Sequence, residues 1–245
     1  LSSQDLATRA GFVVTGLWWL VFSIPAVWLL RTTRAPARQQ ALPSGLRGYK
    51  RIVQEITAYP DLLRFLIAFL LYNDGIQAII ALSAVFARDI LDLPRASVIG
   101  CFLMVQFLAM PGALVCGRLA EKYGAKRVIL LTLVLFIAAT GYAATITTSW
   151  QFWTLGFVVA LILGGSQAAS RSLFASLIPA GKNAEFFGFY AISAKFASIL
   201  GPFLFALVAD LTGSPRLSIL VLIAFFASGA LVLATVKPER GRRAL

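Results

Sequence analysis

Seven apolar stretches fill most of the chain: residues 11–30, 65–87, 96–117, 128–149, 150–170, 186–209 and 217–236. A helix rising about 1.5 Å per residue crosses a hydrocarbon core of about 30 Å in about 20 residues, so each stretch is long enough to span a bilayer. The pattern predicts an all-α integral membrane protein with seven transmembrane helices. Five of the seven windows contain no Asp, Glu, Lys or Arg; the other two carry one charge each, Asp74 and Lys195. A charge at the centre of a membrane helix costs at least about 2.5–3.5 kcal/mol and marks a functional position by default.

Charge distribution sets the expected topology. The chain is basic, with 22 Lys and Arg against 10 Asp and Glu. These residues gather in the connections and form no single face, which argues against nucleic acid and for the positive-inside rule. With the N-terminus outside, the cytoplasmic connections hold Arg31, Arg34, Arg38, Arg47, Lys50, Arg51, Arg64, Arg118, Lys122, Lys126 and Arg127, then Arg171, Lys182, Lys237, Arg240, Arg242 and Arg243. The outer segments hold only Arg9, Arg88, Arg95 and Arg216, with Trp150 and Trp153 at the outer headgroup level. The expected placement is the inner, plasma membrane of a bacterium, with the C-terminus in the cytoplasm. Cys101 and Cys116 lie in one span and read as packing residues rather than as a disulfide or metal pair. The absence of His removes histidine metal sites and proton relays.

One long connection divides the chain. Residues 31–60 begin with a basic, Pro- and Gly-containing linker, and Leu46, Tyr49, Val53 and Ile56 then recur at helical spacing. Two readings stay open for that amphipathic helix: lying on anionic headgroups, or packed on the protein's own cytoplasmic face. Six spans follow in two triplets, 65–149 and 150–236, which enter the membrane from opposite sides, as inverted repeats require. The span at 11–30 stands alone, and the chain starts a few residues before it, as a fragment would.

The sharpest motif lies between the third and fourth spans: Gly117-Arg118-Leu119-Ala120-Glu121-Lys122-Tyr123-Gly124-Ala125-Lys126-Arg127. Gly117 is expected to allow close helix approach, Gly124 to allow the reversal, and Glu121 to pair with neighbouring cations or cap a helix. Three further segments stand out: Tyr72-Asn73-Asp74-Gly75-Ile76-Gln77; Gly164-Gly165-Ser166-Gln167-Ala168-Ala169-Ser170-Arg171; and Glu185 to Tyr190 running into Lys195 to Pro202. The turn resembles the loop signature of the major facilitator superfamily, with Glu121 and Ala125 departing from its usual Asp and basic residue. Together the segments resemble its vacuole-effluxer-like branch.

That resemblance implies a definite layout. Residues 1–30 would hold the sixth helix of a parent transporter, 31–60 its central cytoplasmic linker, 61–236 its C-terminal six-helix half built from two inverted three-helix repeats, and 237–245 a basic tail. The N-terminal half of that transporter would be a necessary partner, beside the bilayer, a small-molecule substrate and a coupling proton. The loop residues Gly117, Arg118, Leu119, Ala120, Glu121, Lys122, Gly124, Lys126 and Arg127 would form a conformational latch. Gly201-Pro202 is similar to the superfamily's helix-bending Gly-Pro, although Phe205 and Ala206 replace the glycines expected after it; Gly112 after Pro111 is a second bend candidate.

Depth arithmetic adds candidate site residues. Asp74 follows Asp61 by about 20 Å of helix and Lys195 follows Glu185 by about 15 Å, so both approach mid-membrane. They are expected to face each other or one aqueous cavity, as a transport site or as a structural ion pair. Asn73 and Gln77 flank Asp74. Gln167, Ser170 and Arg171 recur at i, i+3, i+4; Arg171 is either a carboxylate-binding group, or it snorkels to the interface or pairs with Glu185. Tyr190 completes the substrate and ion candidates. The leading reading is a secondary transporter half moving a small solute, an amino acid outward by resemblance, through alternating access. The alternative is a seven-helix receptor or photoreceptor with Lys195 at its ligand or chromophore. No enzyme, cofactor or metal site is expected: His, paired carboxylates and nucleophile motifs are missing.

Overall fold

The computed structural model of the chain describes residues 3–32, 54–179, 182–196, 198–213 and 215–237. It divides into two units, Leu1–Gly48 and Tyr49–Leu245. The first contains α1 (Ser3–Thr32), whose described side chains from Arg9 to Leu29 are all exposed. The linker and most of the expected amphipathic helix lie outside the described residues.

The second unit contains α2 (Pro60–Asp89), α3 (Arg95–Tyr123), α4 (Ala125–Ala143), α5 (Ser149–Leu177), α6 (Asn183–Phe196), α7 (Leu200–Thr212) and α8 (Pro215–Ala234). No strand occurs among the described residues. Among the described residues, six helical stretches are long and apolar enough to cross a bilayer, from Arg9–Leu29 to Glu185–Thr212, and Ser218–Ala234 is a shorter apolar helix. The protein is therefore an integral membrane protein of helical class. Several helices outrun their apolar windows: α2 is 30 residues long, about 45 Å of helix, longer than a hydrocarbon core of about 30 Å.

The expected fourth span, 128–149, is shorter than its sequence window. α4 stops at Ala143, and a capping box of Thr148 and Gln151 starts α5 at Ser149. The expected sixth span, 186–209, is two helices. Pro202 has no N–H, and in a continuous helix its ring would clash with the carbonyl of Ser198. α6 closes at Phe196, with the Ser198 N–H and hydroxyl both donating to the Lys195 carbonyl, and α7 begins at Leu200.

α2 is central, touching α3, α5, α6, α7 and α8. Its Phe65, Phe69 and Tyr72 are buried with Phe174 of α5 and Phe186 and Tyr190 of α6. The rings stack: Phe69 lies 4.3 Å from Tyr190, and Phe174 4.7 Å from Tyr190, between centroids. The closest helix pair is α3 with α5. A Cβ on Gly112 would overlap the Leu161 carbonyl, and one on Gly164 would overlap that of Ala109, so the two backbones touch. Cys101 and Cys116 line the same seam against Gly156 and Gly165. α3 runs as one helix through Pro111, and Gly112, a bend candidate, makes a close contact with α5.

Candidate functional site

Four consecutive residues of α2 address four different helices. An α-helix turns its side chains by about 100° per residue, so a helix buried on all sides can do this. The Tyr72 hydroxyl meets Ser170 Oγ of α5 at 2.7 Å, and Ser170 donates in turn to the Ser166 carbonyl. Asn73 Oδ1 accepts from Gln167 Nε2 of α5 at 3.1 Å, and its Nδ2 donates to the Ala194 carbonyl of α6 at 3.5 Å. Asp74 faces the start of α7, where a Cβ on Gly201 would lie 3.3 Å from Asp74 Oδ2. Gly75 leaves space for Phe225 and Phe226 of α8.

This polar layer is dry. Asn73 is 1% exposed and Asp74 2%. Among the described residues neither carboxylate oxygen of Asp74 makes a formed hydrogen bond, although the amides at the start of α7 lie toward it, and the buried hydroxyl of Tyr190 makes none either. Gln77 is half-buried. Lys195 and Arg171, by contrast, are exposed. The expected Asp74–Lys195 pair is not formed: the two share a depth but point to different surroundings, one into the bundle and the other out of it. Arg171 makes no ion pair with Glu185 and lies within electrostatic reach of Tyr190.

The loop motif has its own geometry. Gly124 adopts φ +89°, which L side chains rarely tolerate, and makes the reversal between α3 and α4. Gly117 has nothing within 4 Å of a would-be Cβ, so the close approach expected there is absent. Glu121 and Lys122 are exposed, and Glu121 makes no ion pair among the described residues. Lys126 instead reaches α8, donating to the carbonyls of Ala234 and Val236, both at 2.7 Å. Asp61 at the start of α2 accepts from the Lys237 backbone N–H at 3.1 Å and pairs with Arg64 at 3.4 Å. The start of α2, the start of α4 and the end of α8 are thus tied together beside a cleft of about 980 Å³, lined by Gly117, Glu121, Lys126, Ala169, Ser172 and Ser176 among others.

Nearby, Lys182 pairs with Glu55 at 2.7 Å, and that hydrogen bond raises the ammonium's pKa above its ordinary value. Ile56 is buried. The described end of the amphipathic segment, 54–57, therefore packs on the protein itself.

Comparison with known proteins decides the family. The profile of vacuole effluxer Atg22-like proteins matches residues 2–245. The chain belongs to this family. It is 35% identical over 240 residues to the Uncharacterized MFS-type transporter YxiO of Bacillus subtilis strain 168, covering 97% of the chain and 55% of that protein. Autophagy-related protein 22-1 of Aspergillus fumigatus is 29% identical over 266 residues, covering 96% of the chain and 43% of the relative. Autophagy-related protein 22 of Candida glabrata is 27% identical over 276 residues, covering 99% and 51%. The chain spans about half the length of these family members. The family is described as vacuole effluxers and the Bacillus relative is named a transporter, which favours a transporter over the receptor reading and over an enzyme.

Within this effluxer-like chain, the sequence-derived site separates into parts. Asn73, Asp74, Gln167 and Ser170 come together at the α2 hub, and Tyr190 stacks beside it on Phe69. Gln77 is at the margin, while Arg171 and Lys195 stand apart. Tyr72 and Lys126 carry contacts that residue types alone did not assign. A phenol in mid-span is costly unless it finds a partner, and that cost was the available signal for Tyr72.

Proposed function

We infer that the chain is the C-terminal half of a secondary active transporter that moves a small solute, an amino acid in the efflux direction, by alternating access. The observation that carries the reading is the buried polar hub on α2: Asn73 is committed to α5 and α6, while Asp74 keeps a buried carboxylate that makes no formed hydrogen bond among the described residues. A structural polar layer is expected to satisfy all its members, whereas an unsatisfied ion in a membrane bundle suits a transported or coupling species. The exposed Lys195 and Arg171 belong to a surface that a second half would complete, and they offer cations to a substrate carboxylate. The name of the effluxer family supports the direction; the basic connections support a cytoplasmic C-terminus in a bacterial inner membrane.

The experiment is reconstitution of the full-length transporter in proteoliposomes loaded with labelled amino acids. Asp74→Asn should abolish efflux at normal protein level, and Arg171→Gln and Lys195→Gln should raise the KM for the amino acid. Glu121→Gln should slow efflux without changing thermal stability, since Glu121 is exposed and makes no ion pair among the described residues. Efflux by Asp74→Asn at the wild-type rate would refute the site.

A further inference from the structure

The interruption between α6 and α7 leaves a helix start inside the membrane. The first N–H groups of any helix lack partners within it, and in lipid no water can replace them. Ile199 occupies the cap position of α7 and supplies no side-chain hydrogen bond. Pro202 removes one orphan donor, and Phe203 N–H is already bonded to the Ile199 carbonyl. The amides that remain, Ile199, Leu200 and Gly201, lie toward the Asp74 carboxylate of α2, yet neither oxygen makes a formed hydrogen bond. A helix N-terminus carries about half a positive charge, which favours an anion there. Gly201 lets α7 come this close: a Cβ would meet the Asp74 carbonyl and Ala78 Cβ, each at 2.8 Å.

The other titratable groups nearby leave Asp74 alone with this helix end. Lys195 of α6, Arg171 of α5 and Asp210 of α7 are exposed. Tyr72 of α2 is bonded to Ser170, and Tyr190 of α6 lies in the aromatic stack. α8 brings Phe225 and Phe226 to this level, and α3 keeps its charges at its ends.

We propose that Asp74 is a proton-binding site whose charge holds the start of α7 on α2, so that protonation undocks α7 at the Ser198–Gly201 joint. The proposal rests on the transporter reading and adds a coupling species and a moving part to it. As the carboxylate, Asp74 offsets the positive end of α7. As the acid, it keeps only a neutral carbonyl acceptor and gains an O–H donor facing N–H donors, so the charge that offset the positive end of α7 is gone and the attraction is weakened. One proton is taken up from the aqueous phase and bound at a carboxylate oxygen; no bond is broken elsewhere.

The test is pulsed electron paramagnetic resonance on the full-length transporter in phosphatidylethanolamine and phosphatidylglycerol vesicles, without substrate or sodium. Native cysteines are replaced, and spin labels are placed at the exposed positions Ile80 of α2 and Leu211 of α7. The expected result is a second, longer distance that grows as pH falls, following a single-proton step. Asp74→Asn should show that longer distance at every pH, and Asp74→Glu should restore the step. The proposal is overturned if the wild-type distance is constant across pH, if Asp74→Asn still titrates, or if sodium at fixed pH drives the change. The readout needs no transport, so a chain that switches with pH but moves no amino acid defeats only the transport reading. One that transports without switching defeats only this proposal.

Discussion

At Asn73 and Tyr72, adjacent residues of one helix turn, the same chemistry has different consequences. Removing the Asn73 amide leaves Gln167 without its partner in a dry layer, a cost of about 1–3 kcal/mol. Removing the Tyr72 hydroxyl leaves Ser170 still bonded to the Ser166 carbonyl, so about 1 kcal/mol or less is lost. Asn73→Ala should therefore lower the thermal midpoint in detergent more than Tyr72→Phe does; equal losses would contradict the assignment of Gln167 to Asn73. Asp74 and Lys195 supply the second prediction at this scale. Their positions at one depth were legible in the sequence, but their directions were not, because helical depth depends on residue count while facing depends on how each helix is rotated in the bundle. With Lys195 exposed, the double-mutant cycle of Asp74→Asn and Lys195→Met should give stability effects that add to within about 0.5 kcal/mol. A coupling well above that would put the two groups in contact.

Among the elements, glycine positions separate turns, contacts and spectators, which residue type alone does not. Gly124 needs its positive φ and Gly201 needs its missing side chain, while Gly117 needs neither. Gly201→Ala should destabilise the second unit by about 1–3 kcal/mol, as overpacking does. Gly117→Ala, inside α3 and facing open space, should be neutral or stabilising by up to about 1 kcal/mol. Thermal unfolding of both variants checks the contrast. Apolar windows found every long helix of the second unit, because hydrocarbon thickness fixes their length. They missed the end of α4 and the cut between α6 and α7, because a capping box and a proline interrupt hydrogen bonding without interrupting hydropathy. Lys126 reads as one more positive-inside residue until α8 ends beside it.

For the molecule as a whole, α4 is the only helix between the loop motif and the start of α5, so Lys122 and Trp150 must lie on opposite sides of a bilayer. By the positive-inside rule, Lys122 is expected inside. Single cysteines at these positions, in a background lacking Cys101 and Cys116, should be distinguished by an impermeant reagent in intact cells: Trp150, 79% exposed, labels and Lys122 does not. The reverse pattern would invert the topology. The seam between α3 and α5 has a mechanical consequence. Two helices whose backbones touch at Gly112 and Gly164 cannot slide without collision, so they form a stiff strut. α6 and α7, cut at Ser198, are the jointed arm. Deuterium should therefore enter the amides of the arm around the joint well before those of the strut. A force that enters at one end of the bundle will be carried by α3 and α5 as displacement, and absorbed at Ser198 as rotation.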